Sequence, residues 1–463
     1  MRARLARLWY RGFGGMVAAG TVLCAAVSAT GPAAGAPRER PEPYAFAPDA
    51  RSVEGASGTA QARRLAPGKT YRSVLPKAGK RYFRLELGAT ENAYVSATAV
   101  PAPGTEVTFK DGYSLAVENG DGITCRSARA RFGSSESPRP LTAWAARTTG
   151  PGAGSCRNAG PYYVVVEQEG EAPRTAWDLE LRFSAEPQLS TPGPSEAPTP
   201  EASLSPAPVA GAASTRAGGS GFATAPRLAH GVWQDHIRPG QTLYYRVPVD
   251  WGERLSAHVE LGSLTDGVAG PDGPDGPDGP GGGRGLGRFV PSALVVDLFN
   301  PARGPVDQVQ SSYDGKQKVA ALGTLPPVRY ENRFAGSDRV NGMRFSGRYY
   351  LAVHLRAAVA EQFGDERIGV KLRLGVKEAP AGFGPVPVYD GQPLPAEEFR
   401  PAAEEEGPEP GTDGPTASAF ARGPVMRTVA FAAFGTGTAL VLVLVVWTVV
   451  ARRGSPGAGA PRT

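Results

Sequence analysis

Chemistry needs a nucleophile with a base, or a set of metal ligands, at workable spacing. This chain is sparing with both. Its four histidines are His230, His236, His258 and His354. None belongs to an HExxH pair, and none stands beside Cys or Asp at helical ligand spacing. His258 and His354 fall at the polar parity of strand-like stretches, which predicts solvated side chains. No G-x-S-x-G elbow, P-loop or dinucleotide fingerprint occurs, so no catalytic residue and no cofactor is assigned and no enzyme is expected. Ser and Asp are common, which leaves a set assembled across the fold as the one route to catalysis.

Three other groups of residues could do something specific. Asp272, Asp275 and Asp278 recur in GPDGPDGPDGPGGG, residues 270–283, and could offer oxygen ligands to Ca²⁺. Their spacing matches no EF-hand loop and the run is far too short for a collagen helix, so it reads as an expanded strand-to-strand loop. Trp233 and Trp251 flank a strand near loops, where an indole can stack on a sugar ring; Trp177 sits at the apolar parity of its strand and reads as core. Cys24 falls within the apolar run near the N-terminus, leaving Cys125 and Cys156. In an exported chain an even pair reads as a disulfide, since a metal site would need further His or Cys at ligand spacing. The chain-entropy model gives that closure about 3–4 kcal/mol.

Export is read from both ends. Arg2, Arg4, Arg7 and Arg11 precede the apolar run Met16–Ala29 and small residues, the layout of a signal peptide over residues 1–36. Val429 to Val450 carries no charge and is followed by Arg452 and Arg453. Its roughly 33 Å as a helix suffices to cross a bilayer, and the arginines set the cytoplasmic side. No Leu-Pro-x-Thr-Gly sorting motif precedes it; Leu394-Pro395-Ala396-Glu397-Glu398 is the nearest approach. The expected topology is a single-pass cell-membrane protein with its ectodomain outside and residues 451–463 in the cytoplasm.

Composition supplies the divisions between. Sixty-one glycines and 45 prolines together approach about a quarter of the chain, near the level at which low-complexity segments are expected. Residues 37–61 read as a disordered lead-in, 186–221 as a mobile Pro/Ser/Ala-rich linker, and 386–428 as an acidic Pro-rich stalk. The net charge of +6 is mild, and no Lys/Arg block interleaves with aromatics, so nucleic acid is not a partner.

Two folded segments remain, 62–185 and 222–385, and they resemble each other. Leu65–Gly68 with Val74–Leu87 corresponds to Leu228–Gly231 with His236–Val249. Gly160-Pro161-Tyr162-Tyr163-Val164-Val165-Val166 corresponds to Gly347-Arg348-Tyr349-Tyr350-Leu351-Ala352-Val353. Trp177-Leu179-Leu181-Phe183 corresponds to Ile368-Val370-Leu372-Leu374. Four blocks in one order indicate an internal repeat. Their period is two, with Phe83, Leu85 and Leu87 on one face and Tyr82, Arg84 and Glu86 on the other. Asn119-Gly120 is a hairpin turn signal. The predicted fold is all-β, two tandem β-sandwiches with disordered linkers and one C-terminal transmembrane helix.

The aromatic strand after a Gly turn, the middle strand Leu294-Val295-Val296-Asp297-Leu298-Phe299-Asn300-Pro301 and the Gly-x-Tyr-Tyr-[Val/Leu]-x-Val strand together resemble bacterial pre-peptidase C-terminal domains, here in an exported protein of actinobacterial type. The resemblance covers about half of the chain and is weaker in the first segment, where Tyr113-Ser114-Leu115-Ala116-Val117 stands for the middle strand. It implies jelly-roll-like, non-catalytic accessory modules. The expected function is to present them at the cell surface to a wall glycan or another exported protein. An accessory subunit or degenerate relative of a surface peptidase is the alternative.

Overall fold

Successive side chains of a strand point to opposite faces, so one apolar set per strand can close a core. The computed structural model describes residues 41–150, 154–171, 175–199, 206–264, 288–378 and 386–400. The expected signal peptide, transmembrane helix and tail lie outside the described residues. Among those described, no helix is long and apolar enough to cross a membrane. The described residues are all-β with only short helical turns.

The first half contributes β1 (Arg51–Ser52), β2 (Arg63–Arg64), β3 (Thr70–Leu75), β4 (Arg81–Leu87) and β5 (Asn92–Val100). It continues with β6 (Gly112–Asn119), β7 (Thr124–Arg131), β8 (Leu141–Arg147), β9 (Gly160–Glu169) and β10 (Trp177–Glu186). One sheet runs β1-β3-β10-β5-β8 and the other β2-β4-β9-β6-β7. Strands that alternate between two sheets in this order form the double Greek key of a jelly roll. Phe83, Leu85, Val95, Val164, Leu179 and Leu181 meet between the sheets, with Trp177 among them. At the β6–β7 turn the Asn119 side chain accepts from the amides of Asp121 and Ile123, which closes the hairpin at Asn119-Gly120. Cys125 of β7 and Cys156, on the turn before β9, form a disulfide with Cα atoms 5.8 Å apart.

The second half begins with β11 (Ala213–Thr215), β12 (Gly231–Ile237), β13 (Thr242–Val249), β14 (Glu253–Leu261) and β15 (Val290–Phe299). It ends with β16 (Pro305–Tyr313), β17 (Lys318–Ala321), β18 (Gly347–Leu355) and β19 (Ile368–Glu378). Its sheets are β11-β12-β19-β14-β17 and β13-β18-β15-β16, so β12 to β19 repeat β3 to β10 strand for strand. β6 and β15 occupy the same place, although their sequences are hardly alike.

The repeat reaches further toward the N-terminus than the strand pattern suggests. β1 lies parallel on β3 and β2 on β4; β11 lies parallel on β12, and Arg227 bridges in parallel to Arg246 on β13. Between these pairings runs GASGTAQARRLAPG, residues 55–68, in the first half and GGSGFATAPRLAHG, residues 218–231, in the second. Gly55 passes so close to Phe83 that a Cβ would lie 2.9 Å from the ring, and Gly218 meets Tyr245 at 2.8 Å. Only glycine admits that approach. Residues 41–61 and 213–221, expected to be disordered or mobile, are thus straps that cross each jelly roll. Small aperiodic residues are what a close-packed strap requires, and they are also the signature of disorder.

The stalk expected from residue 386 is corrected as well. Leu189 bridges Tyr389 and Ala185 bridges Leu394, while Glu398 is buried. Residues 386–400 pack against both sandwiches rather than standing away from them.

Candidate functional site

β10 shows how the two sandwiches meet. Trp177, Leu179, Leu181 and Phe183 fill the first core, and by parity Glu180, Arg182, Ser184 and Glu186 point outward. All four are buried; Tyr44, the loop residues Arg303 and Arg333, and residues 386–400 meet the three charged ones. β18 does the same from the other side: Tyr349, Leu351 and Val353 enter the second core, and Tyr350, Ala352 and His354 face the seam.

Charges there are paired across the seam. Glu180 receives Arg303 Nη1 at 2.5 Å, Tyr44 Oη at 3.0 Å and the amide of Ala47 at 2.9 Å. Burial lowers the pKa of the Arg303 guanidinium, but the Glu180 carboxylate together with Tyr44, Glu398 and Tyr350 outweighs this and the net shift is upward. Glu186 is the larger hub. Arg333 grips it with Nη1 at 2.9 Å and Nη2 at 2.7 Å, and Asn92, Tyr94 and Tyr389 add donors at 3.0, 2.8 and 2.8 Å. Burial by itself would raise the Glu186 carboxyl; Arg333 and the neighbouring donors reverse this and hold it below the usual carboxylate range. Arg182 meets Glu397 and Glu398 at 3.0 and 3.1 Å, and Tyr350 donates to Glu398 at 2.5 Å.

Aromatic rings fill the gaps between these pairs. Tyr44, Phe222, Tyr244, Phe299 and Tyr350 form one cluster, and Tyr94, Trp144, Ala302 and Phe345 another, with Phe399 against it. Tyr94 stacks on Trp144 at 5.1 Å, and Arg344 lies over the same indole at 5.0 Å. These residues escaped sequence reading because their partners lie from about fifty to more than two hundred residues away; alternation alone reports a polar face, whoever covers it.

One serine–histidine contact in the seam has the look of a catalytic pair. His354 Nε2 lies 2.9 Å from Ser137 Oγ, and its Nδ1 lies 2.9 Å from Thr242 Oγ1. Both Ser137 and His354 are 1% exposed, so no substrate reaches them. Burial, reinforced by the Arg139 cation, pushes the His354 imidazole down to about 3. The solvated side chain expected for His354 is therefore corrected: its polar parity is that of a seam strand. His258 is half-buried, and its imidazole is likewise lowered by burial.

The seam opens to solvent at a cleft of about 570 Å³. Arg126, Tyr330, Arg333, Asn341 and Arg344 line it, with the exposed Glu196 at its rim. Trp233 and Trp251 are elsewhere, both half-buried against the second core, and Trp233 Nε1 donates to the Ala229 carbonyl at 3.0 Å. The structure does not bring them together with the cleft. Asp272, Asp275 and Asp278 lie outside the described residues. Among the described residues no group of three His, Cys, Asp or Glu could hold a metal ion.

No family model and no curated protein matches the chain. Among solved structures it aligns with a β-glucosidase from Paenibacillus barengoltzii at 12% identity and TM-score 0.15, over 31% of this chain and 14% of that one. Tripeptidyl peptidase 2 aligns at 11% identity and TM-score 0.20, over 68% and 24%. The N-terminal CBM22 tandem domain of Paenibacillus barcinonensis Xyn10C aligns at 9% identity and TM-score 0.16, over 70% and 95%. The chain thus spans 14% and 24% of the first two proteins, and TM-scores this low carry no argument about function.

Proposed function

We propose that this is a non-catalytic binding protein of the cell surface, held by residues 429–450 in the membrane, with residues 41–400 as its exported body. In this reading residues 1–36 direct export and the tether begins after residue 400. The observation that carries it is the open cleft at the seam, which has the size of a ligand site and is lined by guanidinium and aromatic groups. The Ser137–His354 contact is sealed from solvent, which speaks against catalysis by that pair. The jelly-roll order of both halves supports the likeness to pre-peptidase C-terminal modules. The ligand is a wall glycan, met by a rigid pair of sandwiches rather than by two modules on a flexible linker.

The test is co-sedimentation of the full-length protein, in mild detergent, with purified wall polysaccharide. Saturable retention that soluble fragments of the same glycan compete away is the expected outcome. Retention no greater than that of an unrelated membrane protein refutes the reading.

A further inference from the structure

Among the described residues, each buried arginine but Arg344 has an acceptor at one or both of its Nη atoms. Arg182 and Arg303 are matched to carboxylates. Arg147, fully buried, donates to the carbonyls of Gly88, Glu91, Cys156, Arg157 and Asn158. Arg139 Nη1 reaches Phe132 O and Ser135 Oγ. Arg344 is 4% exposed, yet among the described residues its only hydrogen bond runs from Nε to the Asn341 carbonyl at 2.8 Å. Neither Nη has an acceptor, and no carboxylate lies at ion-pair distance from it among the described residues.

A buried cation without a counter-charge is costly, so such groups are ordinarily paired. Here the surroundings increase the cost. Burial lowers the guanidinium and the nearby Arg333 and Arg126 cations lower it further; Tyr94 and Glu186 oppose them, and the net result is about 10. Glu186 cannot serve as the partner, since its two oxygens are occupied by Arg333, Asn92, Tyr94 and Tyr389. The Nη atoms are not sealed in: Arg344 lines the seam cleft together with Arg126, whose side chain is 48% exposed. The Trp144 indole beneath fixes the plane of the fork, and Tyr330 forms part of the wall.

We infer that the seam cleft is an oxyanion site, in which the Arg344 fork and Arg126 bind a carboxylate or phosphate group carried by the glycan. A planar guanidinium whose two Nη groups are free and pre-positioned matches either oxyanion with two parallel bonds. This assignment rests on the binding role proposed above and gives that role its ligand chemistry: an acidic glycan rather than a neutral one.

Calorimetric titration of the full-length protein with glucuronic acid, inorganic phosphate and glucose tests it. Saturable binding of glucuronic acid assigns a carboxylate, saturable binding of phosphate assigns a phosphate ester, and glucose gives no heat. Arg344→Met keeps the apolar stem on Trp144 and is expected to weaken binding roughly 10- to 100-fold. Arg126→Ala, which also removes an exposed 3.9 Å ion pair with Asp338, is expected to weaken it a few-fold. The inference is overturned if neither oxyanion binds below about 10 mM, or if Arg344→Met, shown folded by its unfolding midpoint, binds like the wild type. Should the protein sediment with wall glycan yet bind neither probe, the oxyanion site falls and the surface role stands. If it binds a probe but no wall fraction, the site stands and the wall reading falls.

Discussion

Replacing Glu186 with Gln tests whether the two sandwiches are held together by charge. The substitution keeps the shape of the side chain and removes its negative charge. Either orientation of the new amide turns its NH₂ toward an Arg333 N–H, because Arg333 donates to both carboxylate oxygens. Arg333, 7% exposed at its side chain, then lies buried without a counter-ion. Breaking a buried pair in this way costs about 3–5 kcal/mol. That is a large part of the total stability of a domain, about 5–15 kcal/mol. Urea unfolding of the full-length protein, followed by tryptophan emission, measures the loss; Trp144 in the seam and Trp177 in the first core report different regions. In the Glu186→Gln, Arg333→Met double variant the orphaned charge is gone, so its loss should fall short of the summed single losses by about 2 kcal/mol. Additive losses, or a Glu186→Gln loss under about 1 kcal/mol, would refute a charge-locked seam.

Three further outcomes follow from the geometry. His354 stays neutral when folded, with a depressed pKa of about 3, while an unfolded histidine titrates near 6.5. Its contribution is therefore complete above about pH 6.5 and falls away on acidification toward 3, by about 2 kcal/mol at pH 5. A urea midpoint series should show that slope in the wild type and not in His354→Gln. Removing the disulfide as Cys125→Ser, Cys156→Ser, across a separation of 31 residues, should cost about 3–4 kcal/mol under oxidising conditions and nothing under reducing ones. A chain ending at residue 400 should match the full-length protein in thermal unfolding. One ending at residue 385 strips Glu398 from Arg182 and Tyr350 and should lose about 3 kcal/mol or more.

What could be read from the sequence was what neighbouring residues decide together. The parity of Phe83, Leu85 and Leu87, or of Leu179, Leu181 and Phe183, placed each strand's core face, because alternation is a local property. The paired cysteines and the hairpin at Asn119-Gly120 were legible for the same reason. The other face was not. Glu180 and Glu186 look solvated in the sequence, and it takes distant partners, Arg303 and Arg333 from loops of the other sandwich with Tyr44 and Tyr389, to make them interior. The straps 41–61 and 213–221 were hidden differently: the likeness of residues 55–61 to 218–224 is plain once their positions match, but composition alone assigns Gly, Ala and Ser to disorder. For the cleft, the one usable signal is that Arg344 stands within an otherwise apolar Met343–Phe345 stretch, and that gains meaning only once burial is known.

Tyr44 and Glu398 come from opposite ends of the described chain, yet both act on the same guanidinium, that of Arg303. A pulling force applied between residues 41 and 400 therefore loads the seam before it reaches either hydrophobic core. The ion pairs and the short bridges at Leu189–Tyr389 and Ala185–Leu394 would shear first. Two folded jelly rolls would remain, joined by a longer tether. Under tension the seam would then yield before either core, lengthening the protein with both sandwiches still folded.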